Sequence, residues 1–259
     1  MIKPRFKHFI ILLCVLVLIP IIQIAWSYNL YSKSIIKDPY LYKYIKEQYV
    51  IKGSIEPKDV EGIYRLNIDP KLRKMNLEGL QYFTGLKSLM IMEGRRIEDY
   101  TPLKELKNLE NMTIYHCDLD KLEELGKMES VRKLDILVTK SGELSSLENF
   151  PNLQTLYIQG INFENLHCLK GPKNLISLNI SVGEVASFEG IENFPGLEKL
   201  NFHELRIRDV SKIFELRNLK LIGIQGGYIE NGKVFLKGIE ENNIYTNDMS
   251  TLEKVLNLD

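Results

Sequence analysis

Asn152-Leu153-Gln154-Thr155-Leu156-Tyr157-Ile158 is answered one turn later by Asn174-Leu175-Ile176-Ser177-Leu178-Asn179-Ile180, and this echo decides the fold. On either side the same string returns with variations from Gly62, Gly85, Asn108, Ser130, Gly196 and Asn218. The step is constant to within one residue, which is the mark of a repeat architecture. Three apolar columns recur. The first runs Ile63, Leu86, Leu109, Val131, Leu153, Leu175, Leu197, Leu219. The second runs Leu66, Leu89, Met112, Leu134, Leu156, Leu178, Leu200, Ile222, and the third Ile68, Ile91, Ile114, Ile136, Ile158, Ile180, Phe202, Ile224. Columns two and three lie two residues apart, so they point to one face of a strand.

Each turn then returns through further apolar columns. One holds Leu80, Leu103, Leu125, Leu147, Leu169, Ile191 and Ile213, with others three residues to either side. A spacing of three fits a short 3-10 helix or an extended return, and equally one rough helical turn. One turn cannot bury its own apolar side, so successive turns must stack around a shared core, with a parallel sheet on the concave face. The fold class is therefore an α/β repeat solenoid, capped at both ends.

The caps are legible too. Asp38-Pro39 is an N-cap followed by proline at the first helical position. Leu41, Tyr44, Ile45 and Tyr49 then form one helical stripe closed by Gly53, and a second short helix covers Pro57 to Glu61. After the repeats, Tyr228 to Leu236 reads as a hairpin around Asn231-Gly232, and Ser250 with Glu253 as a capping box for a last helix. The resulting division is 1–27 membrane segment, 28–38 linker, 39–61 helical cap, 62–227 repeats and 228–259 C-terminal cap.

The N-terminus is a targeting signal. Lys3, Arg5, Lys7 and His8 precede an apolar run from Phe9 to Trp26, broken only by Pro20 and Gln23. A basic start followed by such a run keeps the N-terminus inside and sends the following chain across the membrane. The length of the run favours an uncleaved single-pass anchor. Cleavage near Ser27, giving a secreted protein, stays open because Ala25 and Ser27 are small.

Lys plus Arg equal Asp plus Glu at 34 each, and a zero net charge argues against a nucleic-acid partner. Of three cysteines, Cys14 lies in the apolar run, and Cys117 and Cys168 fall at different repeat phases, which argues against a bridge between them. His116-Cys117 and His167-Cys168 differ in phase likewise, so they do not converge as metal ligands. Gly227 to Val234 nearly matches a phosphate-binding loop but lacks the closing Ser or Thr. No cofactor and no catalytic constellation emerges, and the chain reads as a binding protein rather than an enzyme.

The turns resemble the 22-residue leucine-rich repeats of the internalin family of bacterial surface proteins over about 165 residues, Ile63 to Ile224 and their flanks. Ser54-Ile55-Glu56-Pro57-Lys58-Asp59-Val60-Glu61-Gly62-Ile63 looks like the entry into such domains. One departure matters: the resemblance implies Asn three residues after the third column, where this chain has Gly94, Cys117, Thr139, Ile161, Gly183, Leu205 and Gly227. The inner turn must then satisfy its backbone by other means.

The resemblance also implies binding across the concave sheet. Strand alternation predicts which side chains point there. Met90, Met92, Tyr115, Leu137 and Tyr157 form an apolar and aromatic patch, rimmed by Asp135, Lys199 and His203. Tyr and Met are enriched in interfaces, so the patch is expected to contact a protein or an envelope glycan. Its bland alternative is cross-strand pairing for stability alone. At the level of the whole chain, the alternatives to a membrane-anchored binding protein are a structural envelope spacer and a secreted effector.

Overall fold

The computed structural model describes residues 4–71, 73–140, 145–246 and 256; side chains are described from Leu16 onward, except at 119–120, 139–140 and 145–146 within that range. The chain begins with helix α1 (Pro4–Ser32), then α2 (Pro39–Tyr49) and α3 (Pro57–Val60). Strands β1 (Arg65–Ile68), β2 (Ser88–Ile91), β3 (Asn111–Asp118), β4 (Lys133–Lys140) and β5 (Thr155–Gln159) follow. After them come β6 (Asn162–Phe163), β7 (Ser177–Ser187), β8 (Lys199–Asp209), β9 (Leu221–Ile229), helix α4 (Gly232–Glu241) and β10 (Tyr245–Thr246).

The strands form one parallel sheet in chain order, with β6 paired beside the main path to β7. Register keeps the repeat phase: Leu66, Leu89, Met112, Leu134, Leu156, Leu178, Leu200 and Ile222 lie side by side. These residues are buried, as are all described members of the first and third columns. The returns use short 3-10 helices at Leu80–Tyr82, Thr101–Glu105, Leu119–Leu125, Ser145–Asn149, Ile191–Asn193 and Ser211–Glu215. The eclipsing of residues three apart in a 3-10 turn is what the spacing of three serves.

At Gly183, Leu205 and Gly227, three of the positions that lack the expected Asn, a second ladder takes its place, whereas Gly94 lies in a 3-10 turn with its carbonyl accepting from the Tyr100 hydroxyl at 3.0 Å. His116, Gly160, Val182, Glu204 and Gly226 are left-handed, with φ between 48° and 79°, and kink the chain just after the third column. Beyond that kink β7, β8 and β9 resume pairing, with Gly183, Leu205 and Gly227 in register, then Glu184, Arg206 and Tyr228. Backbone groups that an Asn side chain would have met are met by the neighbouring strand. Gly227 is required there, since a Cβ would stand 2.2 Å from the Leu205 carbonyl oxygen.

Asp38 caps α2 by accepting from the N–H groups of Tyr40 (2.8 Å) and Leu41 (3.0 Å), and its other oxygen accepts from Asn76 N–H at 3.3 Å. One carboxylate thus fixes the cap helix to the first turn, with Leu41 and Ile45 fully buried against the core. The helix ends at left-handed Val50, ahead of Gly53.

At the other end the expected hairpin is replaced by α4. Asn231 and Gly232 open a helix instead of a two-residue turn, because Phe235, Leu236 and Ile239 make an apolar stripe that the last repeat can cover. Phe235 is fully buried, 6.1 Å from the Phe214 ring. The near phosphate-loop motif spans two elements: Gly227 to Ile229 end β9, paired with β8, and Gly232 to Val234 open α4. The capping box at Ser250 lies outside the described residues.

Among the described residues no helix is long and apolar enough to cross a membrane. Cys117 is buried in the core and Cys168 half-buried, with no bridge between them. Burial pushes the Cys117 thiol up to about 12, which makes it inert as a nucleophile.

Candidate functional site on the open face of the sheet

Between the buried columns, alternate residues stand on the outer face of the strands. One row runs Asn67, Met90, Thr113, Asp135, Tyr157, Asn179, Asn201, Gly223, each in register with the next. A second runs Tyr115, Leu137, Gln159, Ser181, His203, Gln225. The sequence-derived patch therefore divides in two. Met90, Tyr115, Asp135, Leu137 and Tyr157 lie on four adjacent strands, β2 to β5, with Met92 one residue past β2 and 39% exposed. Lys199 and His203 stand on β8, two strands beyond Tyr157, and of the two only His203 shares the border of a depression with that tyrosine.

Asp135 is not a rim residue either. It sits half-buried in the middle of the patch, accepting from the Tyr115 hydroxyl and from Gln159 Nε2 at 3.3 Å. Burial raises its pKa above the ordinary carboxylate range, while Gln159, the Lys133 charge and Tyr115 pull the other way. Tyr115 is raised in turn by burial and by the Asp135 charge. Beside them Lys133 Nζ stands 4.7 Å from the Tyr157 ring centroid, within cation–π range. Sequence reasoning did not single out Lys133 and Gln159, although both are one alternation away from named residues, on the same faces of β4 and β5.

His203 borders a separate depression of about 460 Å³, together with Tyr157, Ser181, Asn201, Gly223 and Gln225. Its floor is an amide relay. Buried Asn179 donates to the Leu156 carbonyl (3.2 Å), and Asn201 Nδ2 donates to Asn179 Oδ1 (2.8 Å). Asn201 Oδ1 then leans over Gly223, where a Cβ would approach it to 2.3 Å. Among the described residues no group of three or more His, Cys, Asp or Glu converges as metal ligands.

A parallel, in-register sheet with 3-10 returns and a capping helix defines a leucine-rich-repeat solenoid. Solved structures agree: the chain is similar to internalin C2 of Listeria monocytogenes, at 22% identity and TM-score 0.59, covering 82% of this chain and 94% of that one. It is also similar to internalin InlF of the same organism, at 17% identity and TM-score 0.52, covering 85% and 74%. A leucine-rich-repeat protein of Leptospira interrogans, LIC12759, matches at 16% identity and TM-score 0.51, over 75% of this chain and 51% of that one. No protein-family model and no curated protein matches the sequence.

Proposed function

We propose that this chain is a membrane-anchored binding protein that holds its repeat domain outside the membrane and captures a protein partner on the open sheet face, without catalysing a reaction. The carrying observation is the cluster of Tyr115, Asp135, Gln159, Lys133 and Tyr157 on three adjacent strands. It joins two aromatic side chains of low conformational entropy to a carboxylate that its own surroundings discourage from ionising. A fold does not retain such a carboxylate for stability, since burial of a charge costs free energy. Tyr anchors around a desolvated polar centre are the makings of a protein-binding hot spot.

Anchoring is supported by α1. From Leu16 to Trp26 its apolar side chains are exposed on every side, from 49% at Ile19 to 69% at Ile24. A helix apolar all round and uncovered by its own chain fits a lipid surrounding. Counted from Phe9 to Trp26 in the sequence, the run reaches the shortest length that spans a bilayer.

The test is capture from an envelope extract by the tagged full chain beside a Tyr115→Ser/Tyr157→Ser variant of unchanged melting temperature. One protein recovered by the wild type, and reduced about tenfold or more by the double change, is expected for two anchors at the centre of a hot spot. Equal recovery by both proteins would instead assign these side chains to cross-strand pairing and make the solenoid a spacer.

A further inference from the structure

The N-terminal cap carries more aromatic surface than capping requires. Leu41 and Ile45 are fully buried, and α2 has a second stripe one helical turn apart, in which Tyr40 and Tyr44 are half-buried against the core and Gln48 is exposed. This stripe stands over the outward side chains of β1. Between them lies a cleft of about 340 Å³, lined by Tyr44, Gln48, Tyr49, Tyr64, Arg65 and Asn67. Across Tyr44 lies a second hollow of about 280 Å³, where Tyr40, Lys43, Glu47, Asp69 and Lys71 meet. Tyr44 is thus a ridge between two neighbouring hollows. Burial raises the hydroxyl pKa of Tyr44 and of Tyr49, so both remain neutral donors throughout the physiological range.

We propose that this cleft is a carbohydrate-binding site, taking two adjoining sugar units of a glycan across the Tyr44 ridge. It is distinct from the Tyr115–Tyr157 cluster and does not depend on the reading given to that cluster. Three observations carry it. Ring faces offer an apolar platform for the C–H face of a pyranose. Tyr49 is already fixed, its hydroxyl donating to the Arg65 carbonyl at 2.6 Å, so part of the platform is ordered before a ligand arrives. That bond also uses the strand's edge carbonyl, which an added peptide strand would need.

The polar lining decides the chemistry. In the second hollow Glu47 and Asp69 can only accept hydrogen bonds, and Lys43 and Lys71 can only donate them. Their mutual pairing is slight: Lys43 meets Glu47 at 3.9 Å, and Asp69 accepts from the Lys71 backbone N–H at 2.9 Å. Hydroxyls, which donate and accept from one atom, can satisfy both kinds at short range. A proline-rich segment, the other natural occupant of a tyrosine groove, lacks the N–H groups and would leave both carboxylates unmet. In the first hollow the Gln48 and Asn67 amides add a donor and an acceptor each, and the Arg65 guanidinium adds further donors and one positive charge.

The experiment is calorimetric titration of the full chain, held in a zwitterionic detergent so that no sugar headgroup competes. The probes are linear tetrasaccharides of glucose, N-acetylglucosamine, mannose and galactose, and a proline-rich decapeptide. At least one tetrasaccharide is expected to saturate the protein. Tyr44→Ala should weaken it about tenfold or more, while Tyr44→Phe, which keeps the ring, should stay within about threefold. Asp69→Asn, at the rim, should weaken it with no change in melting temperature, which covers the case of an ill-folded Tyr44→Ala. Tyr115→Ser/Tyr157→Ser should leave sugar binding unaltered, so failure of the sheet-face reading would show separately. Absence of saturable binding by all four sugars overturns the proposal. So does binding of the decapeptide alone, or sugar binding indifferent to both Tyr44→Ala and Asp69→Asn.

Discussion

Asp135 holds a proton more tightly in the folded chain than in the unfolded one, because burial outweighs the help of Gln159, Lys133 and Tyr115. A carboxylate of raised pKa contributes stability fully below its unfolded value, and loses it as pH rises through the folded value. Asp135→Asn keeps an acceptor for Gln159 and Tyr115 and removes the ionisation. The variant should therefore melt above the wild type near about pH 7, and the two should converge on acidification below the ordinary, unfolded-state value of an aspartate. Scanning calorimetry across that range reads the difference; a variant that melts lower at neutral pH would show that the charge is stabilising. Strand alternation made the outward direction of Asp135, Tyr115 and Tyr157 legible in the sequence. Their grouping was less so. Lys199 and His203 on β8 lie four strands from Tyr115 on β3, so the width of the open face leaves His203 beside Tyr157 alone of the two tyrosines. The amide relay from Asn179 to Asn201 was hidden for a different reason: it depends on side-chain rotamers, which a repeat period does not encode.

Asn231-Gly232 shows how one dipeptide serves two elements. As a hairpin turn it offers the positive φ of a type I′ corner; as a helix start it supplies a small first residue, while the Asn231 amide ties the helix to the preceding turn by donating to Asp209 at 2.8 Å and accepting from Val210 N–H at 3.4 Å. The residues after it decide the outcome. Phe235, Leu236 and Ile239 match the helical period, whereas a hairpin would expose alternate members of that run. The docking is tight, since a Cβ on Gly238 would come within 2.3 Å of the Phe214 ring. Phe235→Ala should then cost about 3–5 kcal/mol, as truncation of buried aromatics does. Chemical denaturation should show the loss, and hydrogen exchange should place it in α4 and β9 before β1 to β3, because each turn of a solenoid leans on its neighbours. A uniform loss of protection along the chain would mean that the repeats unfold as one unit. The elements that the period does encode, strand and return, agree with the sequence reading. Extension of β7 to β9 past the kink was missed, because non-glycine Val182 and Glu204 at positive φ carry no sequence signal for a left-handed residue.

At the scale of the molecule, the two ends of the solenoid are finished differently from its faces. The C-terminal end is closed by α4 and by β10 pairing with β9, while the N-terminal end is closed by α2 and continues into α1. The junction is ordered: Tyr31 near the end of α1 stacks edge-on against Tyr42 of α2 at 5.2 Å and donates to the Lys37 carbonyl. The apolar surface of α1 therefore joins the cap through the Tyr31–Tyr42 contact. If that surface seeks lipid, the solenoid is presented cap-first to the membrane, with its sheet face turned toward whatever approaches alongside. Flotation through a density gradient with phosphatidylglycerol–phosphatidylethanolamine vesicles tests this directly. The full chain should rise with the vesicles and stay there in high salt, since hydrophobic insertion is not screened as charge attraction is. A chain beginning at Lys33 retains α2 and every repeat, and it should remain at the bottom of the gradient while its circular dichroism melt shows the repeats still folded. Flotation of the shortened chain would move the membrane contact from α1 to the solenoid, and release of the full chain by salt would reduce the anchor to an electrostatic association.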